Sequence, residues 1–156
     1  MTTHWFRPRY RGVAWTTMGM GGGLGVIGVA LGFAAVPLAA GMFGIGLGAA
    51  YLTSKTWKLH IVTDDAGLDV RDGKGTRFRL LWTEIVRVVA SPTTKTCFID
   101  GGTPEHSVLV PGDGAPAPYS ISDRDTLFAT ILARVAPDRV ETVETLDRAP
   151  SSQKLA

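Results

Sequence analysis

Few residues in this chain could do chemistry. His4, His60 and His106 are too scattered to show the spacing of a metal-ligand set. Cys97 is the single cysteine, so no intrachain disulfide can form; it reads as a small apolar residue within a strand and fits a reducing compartment. No serine, cysteine or carboxylate stands in a recognisable nucleophile–base or paired-acid arrangement. Two glycine motifs resemble phosphate loops. Gly23-Leu-Gly25-Val-Ile-Gly28 matches G-x-G-x-x-G, but it has no strand before it, and Gly48 stands about where the acidic residue is needed. Gly73-Lys74-Gly75-Thr76 lacks the length of a P-loop. The residues therefore predict no catalytic group, no cofactor and no metal, and they direct attention to the elements themselves.

The charges divide the chain. Five basic residues and no acid lie in the first 58 positions (Arg7, Arg9, Arg11, Lys55, Lys58), whereas residues 59–156 carry 11 basic and 14 acidic side chains. No basic stripe marks the acidic part, so nucleic acid is not an expected partner. Between Gly12 and Ser54 there are 43 residues without an Asp, Glu, Lys, Arg or His. As one helix they would run to about 60 Å, twice a hydrocarbon core of about 30 Å. Pro37 lies near the centre and suits the first turn of a second helix. Helices over 13–33 and 37–54 are predicted, joined tightly as an antiparallel hairpin that crosses a membrane twice.

A cleaved signal peptide is the alternative, with Ala34 and Ala35 as the small residues, but the first apolar run exceeds the usual length of about 7–15 and a second follows at once. The basic flanks place both termini in the cytoplasm by the positive-inside rule, which predicts a multi-pass protein of a bacterial inner membrane. Trp5, Arg7, Arg9, Tyr10, Arg11 and Trp15 before the hairpin, with Tyr51, Lys55, Trp57 and Lys58 after it, are the expected anchors at headgroup level.

Twelve of the 19 glycines lie between Gly12 and Gly48. The pairs Gly21/Gly25, Gly28/Gly32 and Gly44/Gly48 are four apart and so share a helix face, where they let another backbone approach closely. They are the predicted helix-packing interface, within the hairpin, with a second copy or with another subunit.

After Ser54 the pattern turns to short strands: 57–62, 68–71, 77–81, 85–90, 95–99, 107–110 and 119–121, separated by turns such as Asp72-Gly73-Lys74-Gly75. Leu127, Phe128, Ile131, Leu132 and Val135 form an apolar stripe on one closing helix. Ser122 and Asp125 have the spacing of a capping box, and Pro137 ends the helix. The fold class is thus α+β: a two-helix hairpin, then a small antiparallel barrel or sandwich with a C-terminal capping helix. The segments are a basic aromatic leader (1–12), solvated or lying along a membrane or partner; the hairpin (13–55); the soluble domain (56–137); and a charged, partly disordered tail (138–156).

Thr63-Asp-Asp-Ala-Gly67-Leu68 and Leu81-Trp82-Thr-Glu84-Ile85-x-x-Val88 resemble the turn and Trp-x-x-Ile-x-x-Val segment of bacterial pleckstrin-homology-like domains found in small membrane proteins. The likeness covers roughly 57–136. It implies a seven-stranded, partly open barrel capped by a helix, and implies no enzyme. Its eukaryotic relatives often bind inositol phosphates, but here Lys74, Arg77 and Arg79 are offset by Asp64, Asp65, Asp69 and Asp72. Trp82 is expected in the core with its N–H on a backbone partner. The functional expectation is a non-catalytic, membrane-anchored interaction or scaffolding module whose partners are lipids and other membrane subunits or itself. The alternative is an accessory subunit of a large photosynthetic, respiratory or transport complex, with an oligomeric pore or a lipid-headgroup module ranked lower.

Overall fold

The computed structural model describes residues 1–112 and 114–146. The chain is α+β and divides into two compact units: Pro8–Trp57, and Met1–Arg7 together with Lys58 onward.

The first unit is helical. α1 runs Arg11–Ala30 and α2 Ala35–Leu52. The turn is made by Gly32 at φ 74° and Phe33 at φ 63°. Pro37 sits in the first turn of α2, where it costs no hydrogen bond. The two helices pack on each other through Gly21, Gly28, Gly41, Gly44 and Gly48. Their large apolar side chains point the other way: Val26, Leu31, Phe33, Val36, Met42 and Phe43 are all exposed. Only 17% of the apolar window of α1, and 11% of that of α2, is buried.

The second unit begins before the hairpin. Thr2–Pro8 is strand β1, and His60–Thr63 is β2. They pair antiparallel, Thr2 with Thr63 through Trp5 with His60. The chain therefore leaves a sheet, forms the helical unit, and returns to lie beside the strand it left. This corrects the expectation of a basic aromatic leader over 1–12. The physical reason lies in the alternation: His4 and Phe6 are buried, while Thr3, Trp5 and Arg7 face out.

Gly67–Asp72 (β3) and Gly75–Leu81 (β4) extend the meander, and Tyr119–Ile121 (β8) lies on the other side of β1, giving the order β4-β3-β2-β1-β8. A second sheet, in the order β7-β6-β5-β9, comprises Arg87–Ser91 (β5), Thr96–Asp100 (β6), Val108–Val110 (β7) and Val140–Thr142 (β9). β9 runs parallel to β5, so the sheet is mixed. The sheets do not close into a barrel. Both supply one core, in which Ile61, Leu68, Val88, Ile99 and Val110 meet Leu127, Ile131 and Val135 from the side of α3 (Arg124–Arg134).

Two local differences from the sequence reading have identifiable causes. Ser122 does not cap α3: its N–H donates to Trp5 O at 2.9 Å and its Oγ accepts from Trp5 N at 2.8 Å, so it belongs to the β1 pairing. Asp123 takes the cap position at φ 50°, a left-handed conformation that Asp tolerates. The first part of the charged tail forms regular structure: β9 pairs with β5, and Leu146 packs on Val89 and Phe98. The remaining tail, 147–156, lies outside the described residues.

Candidate interaction surfaces

The glycine seam owes its closeness to backbone. A Cβ on Gly21 would stand 2.7 Å from Gly41 O and 2.9 Å from Ile45 N, and one on Gly41 would stand 2.6 Å from Gly21 O and 2.8 Å from Gly25 N. Real Cβ atoms do not come that near, and backbone cannot swing aside as a side-chain tip can. At Gly48 the obstacle is Ala14 O at 2.8 Å, with the Met18 side chain closer still. Gly28 abuts Leu38, and Gly44 has Thr17 O at 3.2 Å. Gly25 presents its backbone to Gly41, although a Cβ of its own would meet open space. Gly32 is outside the seam, in the turn. Gly41 was not among the predicted residues. Its signal was present, since it stands three before Gly44 and seven before Gly48, on the same helical face.

The aromatic and basic residues divide between the units. Arg9, Tyr10, Arg11, Trp15, Tyr51, Lys55 and Trp57 belong to the helical unit, at or near the ends of its helices. Tyr51 is the hub: its hydroxyl accepts from Tyr10 N at 3.0 Å, its carbonyl accepts from Trp57 Nε1, and its ring meets that of Trp57 edge-on at 5.1 Å. Trp5 and Arg7 lie on β1 instead, and Lys58 ends a short 3₁₀ turn just before β2. Trp5 stacks on His60 with ring centroids 4.5 Å apart.

In the sheet domain most charges are paired. Asp69 is buried between Arg71 at 2.6 Å and Arg79 at 3.3 Å. Asp64 Oδ1 accepts from Ala66 N and Gly67 N, and its other oxygen meets Arg79 at 2.9 Å. Those backbone donors, then the guanidinium, hold its carboxyl below the ordinary 3.8. Of the three basic groups weighed for a headgroup site, Arg79 is thus already occupied by carboxylates. Trp82 is buried with Nε1 on Asp64 O at 3.2 Å.

His4 is fully buried, its ring nitrogens at 3.1 Å from Ser122 O and 3.3 Å from Thr2 Oγ1, and so ties β1 to the start of α3. Burial pushes the Cys97 thiol up to about 12, which leaves it protonated and unreactive at neutral pH. Among the described residues, no three His, Cys, Asp or Glu side chains cluster as a metal site. No protein-family model, curated protein or solved structure matches this chain.

Proposed function

We propose that this protein is a non-catalytic, membrane-anchored interaction module, in which α1 and α2 cross a bilayer twice and the sheet domain stays on the cytoplasmic side. One observation carries the reading: the helical unit packs on itself through Gly21, Gly28, Gly41, Gly44 and Gly48 and leaves large apolar side chains such as Val26, Val36, Met42 and Phe43 exposed, the arrangement suited to lipid and unsuited to water. Each helix, at 20 and 18 residues, is about the length that a hydrocarbon core needs. The β1–β2 pairing supports the topology, because strands hydrogen-bonded to each other must be on one side of a membrane. It also weighs against a cleaved leader, since cutting after α1 would remove β1 from the middle of its sheet. The basic residues at both ends of the hairpin favour the cytoplasmic face.

The likeness to bacterial pleckstrin-homology-like domains belongs to this proposal. Within the 57–136 stretch that the likeness covers, seven strands (β2–β8) followed by α3 support it. The test of anchoring is extraction: the full chain should remain in the membrane through an alkaline carbonate wash and come out only in detergent. Release by carbonate alone would reject it.

A second reading, an accessory subunit of a larger membrane complex, draws on a separate observation. Gly19, Gly22, Gly23 and Gly46 have open space where a Cβ would stand, so the outer surface is flat there and can admit another helix. Co-migration with a large assembly in mild detergent supports this reading, and a small monodisperse particle supports the stand-alone module.

A further inference from the structure

The charges of the first sheet sort themselves between its two ends. The register sets Trp5, His60 and Arg71 in one row, with Thr76 beside Arg71. Beyond that row lie Arg7 near the end of β1, Lys58 just before β2, and Lys74 in the turn between β3 and β4. The turn comes back against the start of β2: a Cβ on Gly73 would stand 3.6 Å from Lys58 Cδ. Arg77 follows near the start of β4. Arg7, Lys58, Lys74 and Arg77 are all exposed, and none has an ion pair among the described residues. Two acids offset them in part: Asp72, whose Oδ1 accepts from Lys74 N and Gly75 N, and Glu105, which lines a cavity with Arg77. At the opposite end of the same strands stand Asp64, Asp65 and Glu84, and the arginines that reach that end, Arg79 and Arg134, are paired with Asp64 and Asp65. One end of the sheet therefore carries unpaired cations, and the other is acidic with its cations already bound.

The basic end is also the end to which the hairpin is tied. The chain leaves β1 and returns to β2 there, and two residues, Arg9 and Tyr10, separate β1 from α1. That stretch of chain spans at most about 11 Å, close to the Debye length of about 8–10 Å over which a charged bilayer surface attracts a cation. Trp5, exposed in the row nearest this end, adds a ring of the type that settles at headgroup level. We propose that this end of the sheet docks on anionic lipid headgroups of the membrane that the hairpin enters, with Arg7, Lys58, Lys74 and Arg77 as the contacts. The occupant is a bilayer because the short tether delivers these four charges to a bilayer surface whatever else is present. The proposal rests on the hairpin spanning the membrane, and it adds that lipid charge decides whether the domain lies down on that surface.

The test reconstitutes the full chain in vesicles of phosphatidylcholine, with and without phosphatidylglycerol, each carrying a trace of headgroup-spin-labelled lipid. A fluorophore is placed on Gly73→Cys or, at the opposite end of the sheet, on Ala66→Cys; both positions are exposed, while Cys97 is buried. Phosphatidylglycerol should increase quenching at Gly73→Cys and leave Ala66→Cys unchanged. Lys74→Ala and Arg77→Ala should each lower the ratio of docked to undocked domains by about fivefold, the contribution of one basic residue near an anionic surface. Equal quenching at Gly73→Cys in the two kinds of vesicle, or quenching indifferent to both variants, overturns the proposal. Flotation after a carbonate wash separates the two failures. A chain retained by both kinds of vesicle but quenched equally rejects the docking alone, whereas a chain washed off phosphatidylcholine vesicles rejects the anchor and with it the docking.

Discussion

The helical unit and the sheet domain are built on opposite plans. In the hairpin the contact between helices is made by Gly21, Gly28, Gly41, Gly44 and Gly48 while Leu31, Phe33, Val36 and Phe43 are outside; in the domain Ile61, Leu68, Ile85 and Ile99 are inside and Arg77, Lys74 and Glu105 are outside. On the proposed membrane-spanning reading, the difference follows from the solvent. In water, burying apolar area drives folding at about 25 cal/mol per Å². In lipid that drive is absent, and helices gain by close backbone approach. One chain holds both plans because the hairpin is inserted between two paired strands, so its ends are held by a sheet with its own core.

The comparison breaks most severely if β1 is removed. Deleting residues 2–7 takes His4 and Phe6 out of the core and leaves β2 and β8 without their common neighbour. We expect loss of cooperative unfolding by the sheet domain, measured by near-UV circular dichroism; a dispensable leader would leave the transition intact. Phe6→Ala is the milder version and should cost about 3–4 kcal/mol in chemical denaturation, the range for a buried Phe.

In the hairpin, Gly41→Leu should open the seam at a cost of about 1–3 kcal/mol, the range for overpacking. Gly22→Leu, facing open space, should leave the hairpin intact. Cross-linking between the helices distinguishes the two, and equal tolerance would reject the backbone-contact account.

The smallest effects concern titration in the domain. The Cys97 pKa is raised by burial, so the stability it contributes is complete below the ordinary 9.0 and is lost as pH rises toward about 12; a native-state thiol-reactivity assay at pH 8 should find it unreactive. The lowered Asp64 pKa runs the other way. Its contribution is present above the ordinary 3.8 and is lost as pH falls through the depressed value, so Asp64→Ala and the parent should converge in stability at strongly acidic pH.

The hairpin was legible because 43 uncharged residues and a central proline are a local signal, and helical contacts are local too. Among the described residues, seven of the nine strands were legible from alternation and turn residues. β1 was not, although His4 and Phe6 alternate with Thr3, Trp5 and Arg7, because its partner β2 lies beyond the whole hairpin and its arginines read equally well as a membrane flank. β9 was missed because three residues pairing in parallel leave almost no pattern. The capping box failed because Ser122 was claimed by a strand far away in sequence. The basic end of the first sheet depends on the register of four strands, which no spacing in the chain reveals.

The account turns on the hairpin crossing a bilayer from one side and returning to it. Single cysteines at Thr3, Ala35 and Glu105, all exposed positions, can be labelled in sealed vesicles with a membrane-impermeant maleimide while the buried Cys97 stays silent. Thr3→Cys and Glu105→Cys should label from the same face and Ala35→Cys only from the opposite one. Labelling of all three from one face, or of Thr3→Cys and Glu105→Cys from different faces, would contradict it.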